Sequence, residues 1–105
     1  MSQFDVYVNP VRSRRPQYPY VAQLQSDLAA NAPREVVVAP LVSAALLNGR
    51  GSVLLPVVTL GGEEFTFCIP LLGGVPAARL GRPIGEVRES RRVILTAVDR
   101  LFTGG

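Results

Sequence analysis

Val57-Val58-Thr59-Leu60-Gly61-Gly62-Glu63-Glu64-Phe65-Thr66-Phe67-Cys68-Ile69 decides the fold of this chain. Two apolar, β-branched and aromatic runs, 57–60 and 64–69, flank Gly61, Gly62 and Glu63. Glycine tolerates the positive φ that tight hairpin turns demand, so the stretch predicts a β-hairpin. Upstream, Phe4, Val6 and Val8 alternate with Asp5 and Tyr7, which predicts a half-buried strand ended by Asn9 and Pro10. Residues 20–25 alternate again and predict a second strand. Residues 26–33 hold turn residues and small alanines and predict a connection with one helical turn. Residues 35–39 are rich in valine and predict a buried strand closed by Pro40. Residues 42–47 read as a short helix or an irregular apolar segment, and Asn48, Gly49 and Gly51 as a turn. Downstream, residues 70–76 predict a loop around Gly73 and Gly74, and residues 77–80 one more strand ended by Gly81 and Pro83.

The last element is a helix. From about Glu86 to Phe102, the residues Val87, Ile94, Val98, Leu101 and Phe102 recur at helical spacing, with Glu86, Glu89, Arg92 and Arg100 away from them. Acids early and arginine late suit the helix dipole, and Gly104 is a natural stop. Short strands followed by one helix predict a mainly β fold, a small barrel or curved sheet with the helix against it. Residues 103–105 are expected to form a short surface tail.

Composition narrows the function. The 105 residues suit one domain, and 48% hydrophobic with 18% charged content is the balance of a globular chain. A domain of this size gains by burying surface in an oligomer. All eleven basic residues are arginine and the net charge is +3, a modest bias toward acidic partners. One cysteine excludes an internal disulfide and fits a reducing compartment. Residues 1–5 lack a basic segment followed by an apolar run. The most apolar region, 36–47, is broken by Pro40 and is shorter than the about 20 residues a spanning helix needs. The expectation is a cytoplasmic chain.

Little here makes or breaks bonds. There is no histidine, so Cys68, in an apolar strand, lacks the usual base and reads as core. Ser43 lacks the glycine-flanked elbow of a hydrolase. Gly61-Gly62 and Gly73-Gly74 fit no phosphate-binding pattern and read as turns. Asp27, Glu63, Glu64, Glu86 and Glu89 read as solvated surface. No metal set and no cofactor motif is present. The reading is contact with another macromolecule, not enzymatic turnover. Two arginine groups are candidates for it. Arg12, Arg14 and Arg15 lie near Tyr18 and Tyr20, a pattern that nucleic-acid binders use, against a solvated loop or protein contact as the alternative. Arg88, Arg91 and Arg92 lie on the final helix, as a solvated face or a docking surface for an acidic peptide.

Several segments, taken in order, resemble the CcdB family of plasmid-type toxins. They are Gln3-Phe4-Asp5-Val6-Tyr7, Gln25-Ser26-Asp27-Leu28, Pro40-Leu41, Ser43-Ala44, Leu46-Leu47, Leu55-Pro56-Val57-Val58 with its hairpin, Val75-Pro76, and the closing helix through Leu101-Phe102 to Gly104. Order and spacing hold over essentially the whole chain, with small length changes in the first loop. The resemblance implies an SH3-like barrel with extra strands and a C-terminal helix, in one domain over residues 1–105. It implies a homodimer and a type II toxin–antitoxin system, in which a CcdA-like antitoxin peptide, disordered until bound, neutralises the toxin. In the family the last three residues, tryptophan, glycine and isoleucine, contact the A subunit of DNA gyrase and trap it on cleaved DNA. The implied target-binding residues here are Asp99, Phe102, Thr103, Gly104 and Gly105, and the implied antitoxin-binding residues are Arg88, Arg91 and Arg92. Thr103 stands where the family has tryptophan and Gly105 where it has isoleucine, while Asp99 occupies a position often held by asparagine. The anchor for gyrase is therefore missing. The other readings are a basic barrel that binds nucleic acid through residues 12–20, and a non-toxic homologue that sequesters antitoxin. Otherwise nucleic acid is reached only through partners, and no membrane contact is implied.

Overall fold

The computed structural model describes residues 2–26, 35–47 and 51–104. Seven strands form one antiparallel sheet: β1 (Asp5–Val8), β2 (Tyr20–Gln23), β3 (Glu35–Ser43), β4 (Val57–Leu60), β5 (Glu63–Phe67), β6 (Gly73–Pro76) and β7 (Gly85–Glu86). An α-helix, α1 (Arg91–Thr103), follows. The strands run in the order β4-β5-β3-β2-β1-β7, and β6 pairs with β3. The expected mainly β architecture with a terminal helix is what the chain adopts: the sheet curls into a nearly closed barrel. At the seam the Leu60 side chain lies over Gly85. A Cβ on Gly85 would come within 2.7 Å of it, so glycine lets β4 and β7 approach.

The hairpin forms as expected. Gly61 and Gly62 have φ of 58° and 84°, the pair of positive values that a two-residue turn requires. β5 starts one residue early, at Glu63, because Leu60 pairs with Glu63 across that turn.

Several readings need correction, most of them because tertiary pairing overrode a local signal. β3 does not stop at Pro40 but continues to Ser43. The Cys68 N–H donates to the Pro40 carbonyl at 2.9 Å. Within a strand the N–H and C=O of one residue point to the same side, so the missing donor of Pro40 faces that edge too. There β3 changes partner, from β6 at residues 35–38 to β5 at residues 41–43, so no ladder bond is lost. Gly73 and Gly74 are not a turn. They belong to β6, where β3 offers an edge to pair with. Residues 77–79 form a 3₁₀ turn rather than a strand. The α-helix begins at Arg91, not near Glu86, because Gly85–Glu86 pairs with β1 and residues 88–90 form a 3₁₀ turn. The first turn of α1 consequently holds no acid.

Smaller differences have the same origin. β2 ends at Gln23, although the Gln25 side chain accepts the Val37 N–H at 3.1 Å and extends the pairing. Val42 and Ser43 belong to β3, and Ala44–Leu47 is a 3₁₀ turn. Most of the connection at 26–33, and Asn48 and Gly49, lie outside the described residues.

β1 is not half-buried. Val6 enters a large core with Leu41, Phe65, Phe67 and Ile94, whereas Tyr7 enters a second one with Val21, Val36, Val38 and Leu80. Alternating side chains point to opposite faces, so both faces of this strand are covered and only Val8 is exposed. Helix α1 covers the first face through Ile94 and Ala97. The segment around Leu80 covers the second.

Candidate functional site

The helix end carries the residues expected to meet a target. Ile94 and Ala97 are buried and Leu101 half-buried, but Phe102 is 68% exposed. At 100° per residue Phe102 lies about 80° around the axis from Ile94, past the edge of the packed stripe, whereas Leu101 stays within it. Phe102 is thus not part of the packing face. The helix stops at Gly104, whose φ of 67° turns the chain off the axis while its N–H donates to the Arg100 carbonyl. Thr103 is exposed and its hydroxyl donates to the Asp99 carbonyl at 2.6 Å. Asp99 shares an open hollow with Glu89, Arg91, Arg92, Leu95 and Thr96. Asp99, Phe102, Thr103 and Gly104 therefore lie within the last turns of one helix and are all open to solvent. Gly105 lies outside the described residues.

Arg91 and Arg92 share that hollow, but Arg88 lies in the turn before α1 and is held against β1. Arg88 Nη2 meets Asp5 Oδ1 at 2.7 Å, and Nη1 meets Glu86 Oε2 at 3.2 Å. Partial burial opposes the charge of Arg88, but the Asp5 hydrogen bond and the two carboxylates outweigh it and raise its pKa. Glu86 also accepts the Arg88 N–H at 2.9 Å, anchoring the lead-in to the helix. Arg91 donates to Gln3 Oε1 at 3.2 Å and sits 5.9 Å from the Phe4 ring centroid, in cation–π reach. Both arginines tie the helix start to β1 and the residues before it. Arg92 makes no such contact among the described residues. It lines an apolar groove of about 540 Å³ between α1 and residues 51–57, with Val93, Thr96, Val53 and Pro56. We expect Arg88→Met to cost about 1 kcal/mol in a urea titration, because the pair is largely solvent-screened on the arginine side, and the cost to shrink in high salt.

The first arginine group is also divided. Arg12 and Arg14 are exposed on a 3₁₀ turn, whereas Arg15 Nε donates to the Asn9 carbonyl at 2.7 Å. Tyr20 packs edge-on against Phe65, with centroids 5.5 Å apart and planes at 79°. Its ring packs against the main core and is half-buried. Only Tyr18 remains beside the free arginines, so the basic-aromatic pattern is not a continuous platform.

Cys68 is buried, and burial pushes its thiol pKa up, away from a reactive thiolate. Among the described residues no group of three or more His, Cys, Asp and Glu side chains could hold a metal ion. No described helix is long and apolar enough to cross a membrane.

Sequence reasoning missed the groove beside residues 51–57. Its only trace in the sequence was Val53, Val57 and Val93, which are apolar but too far apart to show that they meet.

The barrel, the helix with its exposed end, and the turn at Gly104 agree with one comparison: the model of the CcdB protein family matches residues 3–104. This chain belongs to the CcdB family, the toxins of toxin–antitoxin systems that act on gyrase.

Proposed function

We propose that this protein is the toxin-type component of a type II toxin–antitoxin pair, a homodimer that works by contact and has lost most of its grip on gyrase. The observation that carries this reading is the open helix end, where Phe102, Thr103 and Gly104 are exposed and Thr103 replaces the family tryptophan. Tryptophan anchors interfaces because it buries a large flat surface at little entropic cost. Threonine has no comparable area, and its hydroxyl is already used within the helix.

The antitoxin contact is assigned to the helix surface at Arg92. Arg88 and Arg91 are engaged within the chain, while Arg92 borders an apolar groove that suits a segment with a carboxylate and an apolar side chain. In this reading the protein acts in the cytoplasm. Purified protein added to a gyrase supercoiling assay is expected to inhibit weakly or not at all. Potent inhibition at stoichiometric protein rules out this reading of the tail. Co-purification with the product of the adjacent upstream reading frame supports the antitoxin contact. No such frame, together with no effect of expression on growth, removes the toxin–antitoxin reading. An antitoxin complex without any growth effect identifies a homologue that sequesters antitoxin.

A further inference from the structure

We draw no further inference here: the strongest candidate, the apolar groove between α1 and residues 51–57 that Arg92, Val93, Val53 and Pro56 line, belongs to the site already described, and nothing in the structure shows a second occupant for it.

Discussion

Thr103→Trp combined with Gly105→Ile is expected to turn a weak or inactive protein into a gyrase inhibitor that arrests growth on induction. A buried tryptophan removes roughly 150–250 Å² from water. At about 25 cal/mol per Å², less the cost of ordering the tail, the gain is about 2–4 kcal/mol per tail, or roughly 30- to 1,000-fold in affinity. A two-fold dimer presents the gain twice. The rest of the helix end is suited to the change. Phe102 already lies exposed beside the site, and Gly104 turns the chain off the axis with a φ of 67°. The Thr103 hydroxyl bond to the Asp99 carbonyl is lost. Growth curves on induction and a supercoiling assay read the result. If the double variant leaves both unchanged while folding normally, the defect is not in the tail, and the proposed contact surface is misplaced. Gly104→Ala in the same background is expected to reverse the gain in part, because an L-residue is strained by about 1–2 kcal/mol at that φ.

Phe4→Ala is expected to produce the largest loss of stability of any single change considered, about 3–5 kcal/mol in a urea titration. Phe4 is 2% exposed and packs in the main core. Its N–H donates to the Gln23 carbonyl at 2.7 Å, its carbonyl accepts the Val87 N–H at 3.0 Å, and its ring lies under Arg91. It therefore joins β2, the helix lead-in and the helix start. It is also the only described non-glycine residue with positive φ, at 70°. That strain gives a sharper prediction. Phe4→Gly is expected to be less damaging than Phe4→Ala by about 0.5–1 kcal/mol, the reverse of the usual order. Glycine loses the same ring but adopts the backbone freely. If alanine proves the better substitute, the backbone at Phe4 is not strained in solution.

Much of this fold could be read along the chain, where the deciding signals were local. Gly61-Gly62 between two apolar runs predicted the hairpin because few other pairs accept two positive φ values. Gly104 predicted the helix stop for the same reason. Spacing alone placed Val87, Ile94, Val98, Leu101 and Phe102 on one helix face; Ile94, Val98 and Leu101 do pack there, whereas Val87 precedes the helix and Phe102 is exposed. The readings that failed were also local, but a distant partner settled them. Pro40 ends a strand unless its missing N–H falls in the gap between two partners of that strand. Gly73 and Gly74 form a turn unless an edge such as that of β3 is free to pair with them. The helix starts near Glu86 unless Asp5 and Val6 hold Gly85 and Glu86 extended.

The surfaces follow the same division. By itself the sequence determined the family, the mainly β fold with its closing helix, and the altered tail, because each rests on residue identity in order along the chain. Only the tertiary structure decided which arginines are available. Asp5 and Glu86 engage Arg88, Gln3 and Phe4 engage Arg91, and Arg92 and Arg14 are left to border apolar grooves. Charge along a chain is additive and can be counted. Whether Arg88 and Arg91 are paired depends largely on Asp5 and Gln3, more than eighty positions away, and folding alone brings these within hydrogen-bond reach.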